Sequence, residues 1–429
     1  MAKKKLQKAL EHDTCVLPSE ILFSILVRLP VQSLLRFRSV YKPWKIMISD
    51  KEFIKAHRDQ TKALGREKLL TKQLGVRNYV FRDLESHQVL VSMDAKQLFP
   101  NEKFQGGSMV CSCDGLVLLK NPTTYKNYAL WNPSTREYRL LKCSNDVKFR
   151  EEPPNACGLC YDSSISDYKV ILIFKLFYVV YSMSTGSWTR RISSPNYLVQ
   201  PYSTRWCVGG INIQDCLYWC LNKIITKLVR RNSTIIYFDV SSDEVKELET
   251  PNLDFIGDHD GLFQLANVKG RLSVFGGKNT SRELDIWIME QDGWKWLMRI
   301  CNLPNICSTF VYSNNLLHCN TNGEVVFQGH GVGLISYYPE RKQFVTICQS
   351  LAGIYISRSE KNQETCVKHI ASVPSEPGVA SLVAGVLFVP AIGSKRDSDS
   401  KLGFLFWNES VLKKDLPILK RGLAELSLI

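Results

Sequence analysis

The chain has fourteen cysteines and seven histidines, the residue types best suited to holding a metal or acting as nucleophiles. Cys157-Gly158-Leu159-Cys160 has the CxxC spacing of a zinc half-site or redox pair, and Cys111-Ser112-Cys113 lies nearby in sequence. A structural zinc site needs a second pair, or a histidine, at matching spacing, and His318-Cys319 is only a remote candidate. Cysteine is also among the residues most often buried as a small hydrophobe, so these are read as structural thiols without a metal. Gly329-His330-Gly331-Val332-Gly333 has the look of a nucleotide loop. It leads into Leu334-Ile335-Ser336-Tyr337, a strand pattern with no helix N-terminus to receive phosphate, and reads as a glycine-rich β-turn. Asp258-His259-Asp260-Gly261 could hold a cation or orient a water, but a polar loop between strands accounts for it with less. No histidine adjoins a nucleophile motif such as GxSxG. The reading is of a non-catalytic chain without a cofactor.

At 429 residues the chain can hold a small domain and a large one, and 45% apolar content fits a globular protein with a substantial core. Its longest apolar block, residues 170–181, is broken by Lys175 and falls short of the roughly twenty residues a membrane span needs. The N-terminal MAKKKLQKALEHD has lysines but no apolar run, unlike a secretory signal. Reduced thiols in cytosol or nucleus are therefore expected, and the sequons at Asn232, Asn279 and Asn408 are expected to be unused. The net charge of +14 is spread along the chain, without the aromatic-interleaved pattern of a nucleic-acid site.

From residue 104 onward, short β-branched and aromatic runs alternate with Gly, Pro, Asn, Asp and Ser clusters, the signature of an all-β domain. Five similar units carry an aromatic followed by a polar turn: Trp131, Tyr181, Phe238, Trp287 and Tyr337, spaced by 50, 57, 49 and 50 residues. A period near fifty is that of a kelch-type propeller with about four strands per blade, and five markers give at least five partial blades. Strand-like pieces at residues 381–390 and 404–407 could add a blade or close the ring, and a two-sheet sandwich is the competing architecture. Trp131, Trp188, Trp219, Trp287 and Trp294 are assigned to packing within and between blades rather than to a ligand cage.

Residues 17–57, LPSEILFSILVRLPVQSLLRFRSVYKPWKIMISDKEFIKAH, are different in kind. Pro18 suits a helix start, and Ile21, Leu22, Ile25, Leu26 and Leu29 recur at helical spacing. Leu29-Pro30 is expected to stop that helix, Pro43 to interrupt the next just before Trp44, and Asp50 to cap a last short helix carrying Phe53 and Ile54. About forty residues lie near the lower limit for independent folding, so the surplus of Leu, Ile and Trp points to a surface for another protein.

This segment resembles the F-box, the adaptor-binding motif of SCF-type ubiquitin ligases. The matching positions include Leu17-Pro18, Glu20-Ile21, Ile25-Leu26, Arg28-Leu29-Pro30, Leu34-Leu35-Arg36, Arg38, Val40, Lys42 and Trp44. Tyr41 and Pro43 stand where plant versions usually have Cys and a small residue. The second region resembles the F-box-associated domain of the large plant F-box family, through Gly115-Leu116-Val117-Leu118, residues 130–136 (LWNPSTR), Asp167-Tyr168-Lys169-Val170, Leu217-Tyr218-Trp219, residues 236–240 (IYFDV) and residues 285–289 (DIWIM). Family members usually have an Asn-Gly turn where this chain has Gln214-Asp215.

The expected organisation is a basic tail at 1–13, an F-box at 14–57, a linker at 58–103, a propeller-like β domain at 104–390 and a segment at 391–429 that could close it. The resemblance implies an F-box that grips a Skp-type adaptor and, through it, a cullin-RING ligase, with the β domain holding an unidentified target protein for ubiquitination. It puts the adaptor contacts on Leu17, Pro18, Ile21, Leu26, Leu29, Pro30, Leu34, Val40 and Trp44, with Arg38 as a polar contact and Leu22 and Ile25 left to the module's own core. An F-box scaffold acting outside ubiquitin transfer, and a kelch-type propeller with a glycan-binding or enzymatic role, are the alternatives. No membrane and no nucleic-acid partner is expected, and the compartment is cytoplasm, nucleus or both.

Overall fold

The computed structural model describes residues 17–64, 68–72, 78–94, 96, 102–104, 107–121, 127–141, 154–174, 177–192, 208–213, 216–224, 231–250, 262–277, 283–303, 314–319, 323–329, 333–348 and 385–387. The basic tail, the motif at 258–261, the strand-like piece at 404–407 and the segment 391–429 lie outside them. Two compact units make up the chain, one helical and one built of strands.

The helical unit contains α1 (Ser19–Leu26), α2 (Val31–Val40), α3 (Lys42–Ile48) and α4 (Lys51–Ala63). Pro18 and Pro30 begin α1 and α2 in the same way: each is held near φ −55 to −59° and ψ 147 to 148°, outside the helix. Their carbonyls accept the N–H groups of Leu22 and Leu34 at 3.1 Å. A proline suits this position because its missing N–H would have no helical partner. Asp50 caps α4, its Oδ1 accepting the Glu52 N–H at 2.9 Å.

Three helix boundaries depart from the pattern-based expectation. α1 ends at Leu26 because Arg28 and Leu29 turn back on the carbonyls of Ile25 and Leu26, a tighter winding than the α-helix. Pro43 does not interrupt a helix; it lies in the first turn of α3, and the break falls on extended Tyr41 (φ −137°). α4 continues past His57 to Ala63. Leu22, Leu26, Leu29, Leu34, Phe37, Met47, Ile48 and Phe53 close over one another as a core, with Phe23 meeting Phe53 edge-on at 5.3 Å.

The strand unit is a six-bladed propeller, not a sandwich. Blade 1 holds β1 (Lys68–Lys72), β2 (Asn78–Asp83) and β3 (Val89–Asp94); blade 2 holds β4 (Ser108–Cys113), β5 (Leu116–Lys120), β6 (Tyr128–Asn132) and β7 (Glu137–Leu141). Blade 3 runs β8 (Ala156–Asp162), β9 (Asp167–Ile173), β10 (Phe177–Ser182) and β11 (Ser187–Ile192), with β12 (Val208–Gly209) added parallel to β8. Blade 4 is β13 (Ile211–Ile213), β14 (Cys216–Ile224), β15 (Arg231–Asp239) and β16 (Glu244–Leu248). Blade 5 is β17 (Leu262–Val268), β18 (Arg271–Gly277), β19 (Leu284–Glu290) and β20 (Gly293–Ile300). Blade 6 is β21 (Asn314–Cys319), β22 (Val325–Gly329), β23 (Gly333–Tyr338) and β24 (Gln343–Cys348). A last strand, β25 (Gly385–Leu387), pairs antiparallel with β1 and completes blade 1.

The segment 58–103 is therefore not a linker. It carries the end of α4, three of the four strands of blade 1 and a 3₁₀ turn at Glu102–Phe104. Its strands are short and flanked by charge, which hid their period; Phe81 stands one fifty-residue step before Trp131, at the place a sixth marker would occupy. Each of the five markers lies on the third strand of its blade. Four of them are buried and Trp287 is half-buried, and they pack toward the preceding blade. Trp131 meets Tyr79 of blade 1 at 5.2 Å, Phe238 sits with Ile171 and Tyr178 of blade 3, and Tyr337 sits with Phe275 and Ile286 of blade 5.

A second repeat is written in the backbone. The connection from third to fourth strand carries a residue in the left-handed region in every blade: His87, Arg136, Gly186, Asp243, Gly293 and Lys342. Only two of these are glycine, so the repeat leaves little trace in composition. An Asx side chain at the end of the third strand holds several of these turns, as Asp83, Asn132 and Asp239 accept the N–H groups of Ser86, Ser134 and Ser241.

Among the polar contacts between blades, two buried clusters stand out. Lys169 of β9, buried, binds Asp162 and Asp243 at 2.7 Å each and the Val240 carbonyl at 3.1 Å, tying blade 3 to blade 4. Burial alone would push the Asp162 carboxyl up and the Lys169 ammonium down, but their mutual hydrogen bonds and charges outweigh it. Asp162 is thus held below the usual carboxylate range and Lys169 above the usual amine range. At the closing seam, His87 Nε2 of blade 1 donates to Glu324 Oε1 of blade 6 at 3.1 Å, and Ser336 Oγ donates to the same oxygen. All three are buried. Leu69 and Leu84 pack on Leu334 across the same seam.

Replacing Lys169 by Met is expected to cost about 3 kcal/mol, because two carboxylates lose their buried partner. The Asp162 contribution is present above the ordinary carboxylate pKa and is lost as pH falls through its lowered value. Melting curves of wild type and Lys169→Met should therefore differ most near neutral pH and converge in acid. At the inner edge of blade 3, a Cβ on Gly209 would lie 2.2 Å from the Val110 carbonyl oxygen of blade 2. Gly209→Ala should lower the propeller's stability by about 2 kcal/mol or more, measurable by denaturant titration.

Candidate docking face of the helical module

The helical unit sorts its apolar residues into two sets. Leu26 and Leu34 are fully buried and Leu29 nearly so, all within the unit's own core. These three of the expected adaptor contacts therefore belong to the packed interior of the isolated unit. Leu22 and Ile25 are buried as well. Ile21 is 41% exposed and Val40 is 58% exposed; Pro18 and Pro30 are also exposed. Leu17, Arg38 and Trp44 are half-buried. Trp44 is wedged edge-on between Phe37 at 5.3 Å and Tyr41 at 5.6 Å, which fixes α3 against the end of α2.

The corner between α1 and α2 is pinned from α4. His57 is buried and its Nε2 donates to the Leu29 carbonyl at 2.7 Å, while its ring stacks on Phe53. A carbonyl left bare by the early end of α1 thus finds its donor in a residue distant in sequence. Thr61 Oγ1 in turn donates to the His57 carbonyl at 2.8 Å. At the start of α1, the Glu20 carboxyl is held below its usual range by its own backbone N–H and then by the Ser19 hydroxyl. A negative charge in the first turn suits the helix dipole.

One surface residue escaped the sequence reading. Ile46 on α3 is 50% exposed, although it sits in an apolar run with Met47 and Ile48, which are buried. Helical spacing from Pro43 and Met47 would have placed it on the opposite face.

The motifs that invited a chemical reading have structural surroundings. Cys157 and Cys160 are both buried on β8, three residues apart, so strand alternation sends them to opposite faces. Burial also pushes the Cys160 thiol far above its usual pKa, which disfavours the thiolate a metal or a redox partner needs. Gly329 and Gly333 pair at the end of the β22–β23 hairpin, and residues 330–332 between them lie outside the described residues. Ile213 pairs with Cys216 across Gln214-Asp215, so the hairpin forms without an Asn-Gly turn. Trp131, Trp188 and Trp219 are buried, and Trp287 and Trp294 are half-buried against the blade 4–5 core. Among the described residues no group of His, Cys, Asp and Glu converges as a metal site, and no helix is long and apolar enough to cross a membrane.

Comparison with known families gives two matches along the chain: the F-box domain at residues 15–56 and the F-box associated beta propeller domain at residues 74–375. Similar proteins come from Arabidopsis thaliana. An F-box/kelch-repeat protein is 28% identical over 323 residues, covering 70% of this chain and 84% of the relative. F-box protein CPR1 is 26% identical over 360 residues, covering 77% and 84%, and Protein SUPPRESSOR OF NIM1 1 is 24% identical over 344 residues, covering 72% and 88%. With α1 to α4 filling the first match and the six blades overlying the second, the chain belongs to the plant F-box proteins that carry an F-box associated beta propeller domain.

Proposed function

We propose that this chain is the substrate receptor of an SCF-type ubiquitin ligase, its helical unit docking on a Skp-type adaptor and its propeller holding a target protein. The observation that carries this reading is the partition of apolar residues in the helical unit. Eight side chains already close a core, yet Ile21 and Val40 remain in solvent, where they add nothing to folding and suit burial in a partner. The contacts fall on the exposed members of the sequence-derived set, Pro18, Ile21, Pro30 and Val40, flanked by Leu17, Arg38 and Trp44. Leu26, Leu29 and Leu34 act indirectly, by holding α1 and α2 in position.

The chemistry asked of the chain is proximity. A target held on the propeller has its lysines raised to a high effective concentration near the conjugating enzyme, with no bond made or broken by this chain. Such a receptor works in cytosol or nucleus, where its buried thiols stay reduced.

Two kinds of variant separate the roles. Ile21→Glu combined with Val40→Glu should weaken binding to a Skp-type adaptor roughly thirtyfold or more, with an unchanged melting curve. Leu34→Ala should instead destabilise the helical unit by about 2–4 kcal/mol, and lose binding only as the unit unfolds. Binding is read by titration calorimetry with purified adaptor, and turnover by reconstituted ubiquitination of proteins trapped by the propeller. Wild type that binds no adaptor would remove this reading. Adaptor binding without turnover of any captured protein would favour a scaffold role.

A further inference from the structure

The outer strands of the propeller treat their cations in two ways. On blades 4 and 5 each one has a carboxylate: Lys246 with Asp239 at 2.7 Å, Lys295 with Glu290 at 2.7 Å and Arg299 with Asp285 at 2.9 Å. On blades 2 and 3 the outer strands β7 and β11 carry Arg139, Arg190 and Arg191. Among the described residues none of these three forms an ion pair.

Two of the three share one face. The register sets Trp188 opposite Tyr181, Arg190 opposite Val179 and Ile192 opposite Phe177, so Trp188, Arg190 and Ile192 lie on one side of β11. Arg139 of blade 2 reaches that side, its Nη1 donating to the Met183 carbonyl at 2.8 Å and its guanidinium standing 6.0 Å from the Tyr181 ring. Arg190 stands 4.1 Å from the Phe177 ring. Arg191, opposite Tyr178, belongs to the other side. A guanidinium over an aromatic ring gives up water on one face and keeps its N–H donors at the edge for a partner. Ile192, at the end of β11, is 87% exposed.

Unpaired cations fit an anionic partner, and their separation narrows its kind. Tyr181 and Phe177 are four residues apart on β10, about 13 Å along a strand. Two guanidiniums so placed suit two separate carboxylates, each met by one fork. A phosphate is better served by donors that converge on one point. Side chains four residues apart on an extended chain have the same spacing and direction. An aliphatic residue at the Arg190 end would cover Ile192.

We propose that the rim between blades 2 and 3 is where the propeller takes hold of its target, through an extended acidic segment whose carboxylates meet Arg139 and Arg190. The inference rests on the receptor reading given above.

The test uses the full-length chain and fluorescent peptides with two Glu four residues apart and aliphatic residues around them. The same peptide with Gln, and one with phosphoserine, are compared with it. The Glu peptide should bind at least tenfold more tightly than the Gln peptide, and more weakly as salt rises. Arg190→Glu should weaken it about tenfold and Arg139→Gln about threefold, while Arg191→Glu, with the same change of charge as Arg190→Glu, stays within threefold of wild type. Equal binding of the Glu and Gln peptides would overturn the proposal, and so would equal losses from Arg190→Glu and Arg191→Glu. A phosphoserine peptide that binds when the Glu peptide does not would give the rim to a phosphorylated partner and overturn the carboxylate assignment. Lower melting in Arg190→Glu and Arg139→Gln with peptide affinity intact would assign the two cations to the chain's own packing, against the proposal. Adaptor binding is measured alongside: an adaptor that binds while no peptide does overturns the rim site alone. Peptide binding without adaptor binding upholds the rim site and overturns the receptor reading.

Discussion

The pairing of β25 with β1 is the constraint on which the propeller depends. Three strands of blade 1 come from the first quarter of the chain and the fourth from beyond residue 384, so the ring exists only when two distant segments meet. The other blades are meanders of strands that follow one another in sequence, apart from β12, which crosses back to pair with β8. The closing blade joins the most distant segments, and it is reinforced there by the buried His87–Glu324–Ser336 contact and by Leu69 and Leu84 against Leu334. Burial pushes the Glu324 carboxyl up, yet the donors from Ser336, Tyr338 and His87 outweigh it and hold it below its usual range. A buried acid so surrounded is specific to one docking of the two blades, because a shifted register would leave it unpaired.

The blades themselves were legible from sequence to an unequal degree. Trp131, Tyr181, Phe238, Trp287 and Tyr337 announced a period because a large aromatic is needed to fill the wedge between a third strand and the preceding blade. Blade 1 escaped because its marker, Phe81, stands among charged residues and its inner strand is three hundred residues away. No local pattern could supply that strand. The left-handed turn positions were hidden for another reason. Arg136, Asp243 and Lys342 accept that conformation without being glycine, so the backbone repeats where the sequence does not.

In the helical unit the sequence announced which residues are apolar but not which are spare. Leu29 and Ile21 both fit a partner-binding pattern, and only the packing of α1 against α2 and α4 separates them. The division turns on a few ångströms. α1 stops early, Leu29 swings inward under the His57 hydrogen bond to its carbonyl, and Ile21 is left outside. Ile46 is the converse case, an apolar side chain in a buried-looking run that the helix turns toward water. Ile21 and Val40 both stay at the surface after the unit's core has closed, and the proposed docking role rests on that.

Synthesis of the chain from its N-terminus gives the β25–β1 pairing a temporal meaning. Among the described residues, the core of the helical unit is drawn from residues 22–53, which leave the ribosome early. The propeller cannot close until β25 emerges, after nearly all the rest of the chain. Throughout that interval blade 1 presents the unpaired inner edge of β1, and the growing stack of sheets has two open ends. The helical core can thus be assembled while the strand domain is still an unclosed ribbon of blades.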